Sequence, residues 1–270
     1  MRNTAACWHD APVSQPTADA FRVENLHKSF GDLHVLQGVD MRFPRGKITV
    51  VLGASGCGKS VLLRHLVGLE KPDQGSVWFG DTRIDDMSER ELIAPRRHIG
   101  YLFQQGALFD SLTVHDNIAF ALVEHGVATG DQVSVMVAHV LHLVGLTDKI
   151  HVMPASLSGG QRKRVALARA IVMHPQVVLY DEPTTGLDPI TSDVINELIM
   201  KLARELSMTS IVVTHDLASA FKVADRIIML HNGRVELAGT PEQVRASTLP
   251  VVARFLNGKA SPEELAEIEA

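Results

Sequence analysis

The chain has 270 residues, 46% of them hydrophobic, which is enough for one large domain or two small ones with a buried core. Aromatic residues make up only 5%, so aliphatic side chains must fill most of that core. The net charge of −5 argues against a protein that nucleic acid holds by bulk electrostatics, and we expect no nucleic-acid partner. The two cysteines, Cys7 and Cys57, form no disulfide framework, so we expect a reducing compartment.

Residues 1–20 predict a disordered lead-in, with Pro12 and Pro16 among small polar residues. No apolar stretch in it has the length that a secretory signal requires. The best candidate for a membrane span, Val133–Leu146, is interrupted by two histidines and is too short to cross a bilayer as a helix. We therefore expect any work at a membrane to depend on partner proteins.

Strand patterns begin after this lead-in. Val39, Met41 and Phe43 alternate with charged residues, as one buried face of a strand does. Ile48–Leu52 is a short apolar run, typical of a strand that is covered on both faces.

Helical spacing dominates from about residue 106 to residue 174. A stripe at intervals of three and four predicts a core-facing helix, and its members are Val133, Met136, Val137, Val140, Leu141 and Val144.

Alternating strands and helices return after His174. Three apolar runs predict strands: Val177–Tyr180, Ile211–Thr214 and Arg226–Leu230. One helix face between them is traced by Val194, Ile195, Leu198, Ile199, Leu202 and Leu206. Asn232-Gly233 predicts a tight hairpin turn, and Thr240-Pro241-Glu242-Gln243 predicts a capped helix start. The order predicts an α/β core, at about 21–105 and 175–257, with a helical insertion.

A glycine-rich loop follows the strand Ile48–Leu52 and precedes a predicted helix, Val61–Leu69. It satisfies the phosphate-binding pattern G-x-x-x-x-G-K-[ST] with Gly53, Ala54, Ser55, Gly56, Cys57, Gly58, Lys59 and Ser60. Glycines let backbone N–H groups converge on phosphate oxygens, and the helix start adds partial positive charge. We expect Lys59 to reach the β- and γ-phosphates of a nucleotide and Ser60 to bind Mg²⁺. Cys57 fills a free position in this pattern, and we favour that role over a redox switch.

Two carboxylates, Asp181 and Glu182, end the apolar strand that begins at Val177. At the carboxyl end of a parallel strand they would point into a ligand crevice. There Asp181 could hold the hydration shell of Mg²⁺, and Glu182 could polarise an attacking water. The alternative is a solvated boundary between strand and loop, and the phosphate-binding pattern favours the first reading.

The string Leu157-Ser158-Gly159-Gly160-Gln161 places a capping hydroxyl and two glycines before an arginine-rich helix. Such a helix start can bind an anion, although an ordinary N-cap has the same residues. Together with the glycine-rich loop and the order of motifs, this string resembles the ABC ATPase family over residues 21–257. The resemblance implies a P-loop NTPase core with an antiparallel β subdomain and an inserted α-helical subdomain at about 106–174.

The resemblance implies further site residues. Phe30 matches the aromatic residue that stacks on adenine, where Tyr is more usual, and Gln104 matches the loop glutamine that touches Mg²⁺ and faces the membrane subunit. Gly186-Leu187-Asp188 matches the D-loop, with Asp188 at the nucleotide. His215 matches the histidine that contacts the γ-phosphate. Val61, directly after the phosphate loop, belongs to the nucleotide-binding set.

In this family, ATP is clamped between Gly53–Ser60 of one copy and Ser158–Gln161 of a second copy. Hydrolysis removes the γ-phosphate and loosens the clamp, so ATP acts as a ligand for the closed conformation. The resemblance therefore implies an ATPase with ATP and Mg²⁺ as cofactors and a homodimer as the working form. Lys59, Glu182 and His215 are its expected catalytic residues.

Several stretches resemble a narrower group, the ATPases of Mce/Mla-type lipid transport. They are Gly58–Arg64, Leu102–Asp110, Asp181–Ser192 and Val251–Gly258. Two positions are distinctive: Val61 replaces a common Thr, and Gln161 stands where many members have Met. This resemblance implies lipid transport, permease subunits, an Mce-domain substrate-binding protein and a place on the cytoplasmic face of the inner membrane. Residues 258–270 predict a short acidic tail, with a helix start at Ser261–Glu264 or else fraying.

Three alternatives compete with lipid transport. ATPases of importers for amino acids or other small solutes are very similar. Non-transport ABC ATPases of DNA repair or translation carry long coiled coils, zinc-binding cysteines or two cassettes, and this sequence shows none of these. A P-loop kinase has no use for Leu157–Gln161, and Glu182 beside Asp181 suits attack by water better than transfer to a substrate.

Overall fold

The structure, a computed structural model, describes residues 18–260. Most of the predicted lead-in and the predicted acidic helix start at Ser261–Glu264 lie outside the described residues. Strand β1 (Asp19–Phe30) begins two residues inside the range that the sequence predicted to be disordered. The boundary was misplaced because Ala20 is a buried part of the core and not of the polar tail.

The first sheet is antiparallel and has the order β2-β1-β4-β5. Its other strands are β2 (Leu33–Pro44), β4 (Gln74–Phe79) and β5 (Thr82–Arg83). Val39, Met41 and Phe43 of β2 are buried, which confirms the predicted alternation. This sheet is the antiparallel part that the family resemblance implied.

The second sheet has the order β10-β9-β3-β8-β7-β6. These strands are β3 (Ile48–Leu52), β6 (Ile99–Leu102), β7 (Val177–Asp181), β8 (Thr209–Thr214), β9 (Arg226–His231) and β10 (Arg234–Gly239). All of these strands except β10 run parallel to one another. Every residue of β3, β7 and β8 is buried. Asn232 and Gly233 adopt positive φ values of 46° and 71° between β9 and β10, which confirms the predicted hairpin.

Helices surround the two sheets. They are α1 (Lys59–Leu66), α2 (Glu89–Arg96), α3 (Val114–Glu124), α4 (Asp131–Leu143), α5 (Gly159–Ile171), α6 (Pro189–Glu205), α7 (Leu217–Val223), α8 (Pro241–Arg245) and α9 (Pro250–Leu256). Two of them, α3 and α4, pack against α5. Val133, Val137, Val140 and Leu141 of the predicted stripe are buried on α4. At α8, Thr240 and Gln243 form the predicted capping box. No helix of residues 18–260 is long and apolar enough to span a bilayer.

Each face of the parallel sheet packs into a different hydrophobic cluster. Val50 and Tyr180 face a cluster shared with α3, α4, α5 and α6. Val51 and Leu179 face a cluster shared with α1 and the antiparallel sheet. Burial on both faces explains why these strands are continuous apolar runs, and it leaves the strand ends as the place for polar chemistry.

Candidate functional site

The glycine-rich loop connects β3 to α1, as predicted. Gly56 and Gly58 adopt φ values of 80° and 106°, a region that side chains with a Cβ rarely enter. A Cβ at Gly53 would lie 2.3 Å from the carbonyl oxygen of Leu230. Helix α1 begins at Lys59, two residues before its predicted start, and ends at Leu66 because Gly68 turns left-handed with φ 67°. The helix start therefore faces the loop, where its free N–H groups can meet an anion.

Lys59 is folded into this loop. Its Nζ donates to the carbonyl oxygens of Gly53 (2.8 Å) and Ala54 (2.9 Å) and lies 3.5 Å from Oε1 of Glu182. The side chain is only 5% exposed. A buried lysine needs such partners, because an unpaired ammonium in the interior is strongly destabilising. The ammonium is thus held at the mouth of the predicted phosphate site.

Cys57 is buried beside this lysine. Burial raises the pKa of the Cys57 thiol, which is the opposite of what a reactive thiolate requires. This supports the reading of Cys57 as the occupant of a free position.

Asp181, at the end of β7, lies against the start of α1. Oδ1 of Asp181 accepts from the Ser60 hydroxyl at 2.8 Å, and Oδ2 accepts from the Tyr101 hydroxyl at 3.2 Å. Burial raises the pKa of Tyr101, so its hydroxyl stays protonated and donates. Sequence reasoning missed Tyr101. In the sequence, Tyr101 is only a polar hydroxyl within an apolar run. Its link to Asp181 can be inferred only when β6 is known to pair with β7.

Glu182 is the most heavily bonded residue of the site. Its Oε2 lies 2.9 Å from Nδ1 of His215 and accepts from the hydroxyls of Thr185 (3.1 Å) and Thr214 (3.4 Å). Its side chain is 9% exposed, and its backbone adopts φ 49°, an uncommon conformation for a non-glycine residue. Several surrounding groups therefore fix one carboxylate in one place, as a base that orients water requires. Neither threonine belongs to a recognised sequence motif, so the sequence did not predict their contacts with Glu182.

His215 follows β8, as predicted, and its side chain is half exposed. Its bond to Glu182 joins the two residues that directly follow the neighbouring strands β8 and β7. The structure thus brings together five of the predicted residues, namely Lys59, Ser60, Asp181, Glu182 and His215.

Phe30 ends β1 and is 45% exposed, with Nζ of Lys28 5.1 Å from its ring centroid. The β1–β2 hairpin that carries it reaches the phosphate loop. A Cβ at Gly58 would lie 2.8 Å from Cδ2 of Leu36 and 3.0 Å from the carbonyl oxygen of Val35. An exposed ring on this hairpin can stack on a flat ligand, and adenine has that shape.

Gln104 lies in the exposed loop after β6. Its backbone carbonyl accepts a hydrogen bond from Nζ of Lys163 on α5, and the same Nζ lies 3.4 Å from the carbonyl oxygen of Glu182. Lys163 thus connects the Gln104 loop to the end of β7. Sequence reasoning missed Lys163 because it belongs to an arginine-rich helix that looks solvated.

Ser158 caps α5, and its side chain is exposed. Its Oγ accepts from the backbone N–H of Gln161 (3.3 Å), whose Oε1 accepts from the Ser158 N–H (2.9 Å). The ordinary N-cap is therefore present, on a helix start that solvent can reach. Among residues 18–260, none of the described hydrogen bonds joins Ser158–Gln161 to the cluster around Glu182.

The start of α5 packs against the start of α6. Asp188 caps α6 by accepting from the N–H (2.9 Å) and the hydroxyl (2.5 Å) of Thr191. These bonds hold the pKa of Asp188 below its usual value, with the Thr191 hydroxyl as the larger cause. Leu187 of the same loop lies 3.5 Å from the position of a Cβ on Gly159. The two predicted motifs are therefore neighbours.

Replacing Gly160 by Ala is expected to lower the free energy of unfolding by about 1–3 kcal/mol. The added Cβ would lie 2.4 Å from Cγ2 of Thr191, which cannot rotate away without breaking its bond to Asp188. Gly159→Ala is the matched control: its Cβ would meet only an ordinary contact at 3.5 Å, so stability should be kept. Thermal and urea unfolding measure both variants, and equal stabilities would contradict the packing described here.

The described residues contain no cluster of three or more His, Cys, Asp or Glu side chains that could hold a metal ion without other ligands. The Ser60 hydroxyl and the Asp181 carboxylate are nevertheless adjacent oxygen donors, the ligand type that Mg²⁺ prefers. A magnesium ion at this place would need phosphate oxygens and water to complete its coordination.

A sequence model for the family described as "ABC transporter" matches residues 36–185. Among curated proteins, the chain is 41% identical to the probable ribonucleotide transport ATP-binding protein Mkl of Mycobacterium leprae, over 90% of this chain and 70% of that protein. It is 39% identical to the intermembrane phospholipid transport system ATP-binding protein MlaF of Haemophilus influenzae, over 88% and 90%. It is 37% identical to the sulfate/thiosulfate import ATP-binding protein CysA of Mannheimia succiniciproducens, over 88% and 66%.

Among solved structures, the chain is similar to the ATP-binding cassette MJ0796 in a dimeric, post-hydrolysis state bound to ADP and Pi. The TM-score is 0.75 at 33% sequence identity, covering 82% of this chain and 98% of the other. The observed sheets and helices are therefore those of an ATP-binding cassette, which confirms the predicted fold class.

Proposed function

Because the chain belongs to the ABC transporter family and is an ATP-hydrolysing subunit, we propose that two copies close face to face on ATP to drive a membrane permease. Each ATP would lie between Gly53–Ser60 of one copy and Ser158–Gln161 of the other. The observation that carries this proposal is that the chain has two glycine-rich helix starts with no described hydrogen bond between them. One borders the Glu182 cluster, whereas Ser158 caps the other and is exposed. The dimeric MJ0796 structure supports it.

The proposed chemistry is attack of water on the γ-phosphorus of ATP: a bond forms to the water oxygen, the bond from that phosphorus to the oxygen bridging the β- and γ-phosphates breaks, and ADP and phosphate leave. Backbone N–H groups of the loop and Lys59 would bind the phosphates, and Phe30 would stack on adenine. Glu182 would accept a proton from the attacking water, and the hydroxyls of Thr185 and Thr214 would fix the position of its carboxylate. His215 would contact the γ-phosphate. Asp188 and the start of α5 would come from the second copy.

Mg²⁺, when bound, would neutralise phosphate charge. Ser60 and Asp181 are the residues that we propose to hold it, since their oxygens already lie 2.8 Å apart. Gln104 is the third proposed ligand. The working unit that we propose begins with β1 at Asp19 and ends at about residue 257, with the helical insertion at about 106–174 carrying Ser158.

We propose that the cargo is a lipid and that the system is of the Mce/Mla type. The 39% sequence identity to MlaF, in an alignment that covers 90% of that protein, supports this. The stretches Gly58–Arg64 and Leu102–Asp110 support it as well. The proposed partners are permease subunits and an Mce-domain substrate-binding protein, which would hold this chain at the cytoplasmic face of the inner membrane. Import of a small solute is the second candidate, since CysA is a sulfate/thiosulfate importer subunit at 37% identity.

Purification of the native complex through a tag on this chain is expected to recover a permease, an Mce-domain protein and bound phospholipid. Mass spectrometry of the proteins and of the extracted lipids measures this outcome, and the same purification from untagged cells is the control. Recovery of a solute-binding protein and a solute, without enriched lipid, would support small-solute import instead.

A further inference from the structure

The segment that follows Gln104 lies along α5, the helix that Ser158 caps. Arg169 of α5 donates from Nη2 to the carbonyl oxygen of Gly106 (2.8 Å) and from Nη1 to that of Ala107 (2.7 Å). A Cβ at Gly106 would lie 3.3 Å from Cβ of Ala166. Gly106 and Ala107 adopt φ values of 79° and 49°, so the segment bends to follow the helix. Residues 104–107 are therefore bound to α5 along two of its turns.

Lys163 extends this attachment to the backbone of Glu182. The residue is 6% exposed, and its ammonium lies between the backbone carbonyls of Gln104 and Glu182. Burying an ammonium is unfavourable unless hydrogen bonds and nearby opposite charge compensate for lost hydration. An apolar side chain would fill the same space without that penalty. The presence of a lysine here is thus explained by its N–H donors, which can bind both carbonyl oxygens at once.

The backbone of Glu182 is a sensitive place for such an attachment. Its φ of 49° lies in a sparsely populated region, which persists only where neighbouring groups fix it. The backbone N–H donates to Val213 (3.0 Å), whereas the carbonyl oxygen faces Lys163 and the N–H of Thr185 (3.2 Å). A shift of this carbonyl would change the backbone conformation of Glu182 and so move the carboxylate that this residue carries.

We propose that Lys163 is a positioning residue for ATP hydrolysis. Its hydrogen bonds connect the backbone of Glu182 to the segment 104–107, so that the position of this segment determines the orientation of the Glu182 carboxylate. The proposal rests on the function of Glu182 proposed above. Lys163 itself need not touch ATP or the reacting water, and the consequence of its loss should therefore appear in kcat and not in nucleotide binding.

Lys163→Met removes the donors while keeping a long unbranched side chain. We expect kcat for ATP hydrolysis to fall between about 10-fold and about 100-fold, because small misplacements of a catalytic group have effects of that size. The KM for ATP should stay within about twofold, since it reports ground-state binding that Lys163 does not provide. Lys163→Gln keeps an N–H donor without the charge, so its kcat should be at least about threefold higher than that of Lys163→Met.

Lys201→Met is the matched control. Lys201 lies on α6, and its ammonium also donates to a backbone carbonyl, that of Leu143 at 3.3 Å. It should hydrolyse ATP like the unmodified chain. A kcat for Lys163→Met within about twofold of that chain would overturn the proposal, as would a KM that rises in step with the fall in kcat. If Lys163→Met does not fold, Lys163→Gln carries the test: a reduced kcat at unchanged KM supports the proposal, and an unchanged kcat overturns it. A Glu182→Gln variant with full activity would instead contradict the proposed function.

Discussion

Replacing Glu182 by Gln is expected to slow ATP hydrolysis by about 100-fold or more, the usual contribution of a general base. The amide keeps the shape of the carboxylate but cannot accept a proton from water. ATP binding should survive, because Lys59 and the backbone N–H groups of the loop are unchanged. The proposed dimer would then close on ATP and not reopen, since opening follows loss of the γ-phosphate.

Steady-state hydrolysis and gel filtration with and without ATP and Mg²⁺ measure the two parts of this prediction. Glu205→Gln is the control, since Glu205 is exposed at the end of α6 and the change in charge is the same. A Glu182→Gln variant that remains a monomer with ATP would show that the sandwich is wrong for this chain. Normal hydrolysis by that variant would remove Glu182 from its proposed role.

Replacing Lys59 by Ala is expected to weaken ATP binding by about 10-fold to 150-fold. A charge-assisted hydrogen bond contributes about 1.5–3 kcal/mol, and the ammonium is the one cationic side chain of the loop Gly53–Ser60. The change also removes the cation 3.5 Å from Glu182, so catalysis should be lost together with binding. Binding is therefore the informative readout.

Isothermal titration calorimetry with ATP measures this change in affinity. Lys47→Ala is a suitable control, because Lys47 is exposed and precedes the same strand, β3, by one residue. Thermal unfolding without nucleotide should be compared for both variants, since Lys59 is buried and also bonds Gly53 and Ala54. An unchanged affinity in a folded Lys59→Ala protein would contradict the assignment of the loop as a phosphate site.

Several residues of the site had no recognisable pattern in the sequence. Tyr101, Thr185 and Thr214 bond the two carboxylates, and Lys163 reaches the carbonyl of Glu182 from another element. Each is an ordinary strand, turn or helix residue when its own neighbours along the chain are considered. Their roles follow from the elements beside them, which local patterns do not specify.

The sequence by itself determined the features that depend on residues close together in the chain. The strand–loop–helix around Lys59, the apolar strand before Asp181, the cap at Ser158 and the turn at Asn232 were predicted because hydrogen bonds and burial periodicity act there over a few residues. The tertiary structure decided the order β10-β9-β3-β8-β7-β6, which places β8 between β3 and β7. That order brings Ser60 to Asp181, 121 residues away in the chain, and His215 to Glu182. Strand pairing over such separations depends on how whole apolar faces pack, and a local pattern fits many pairings equally well.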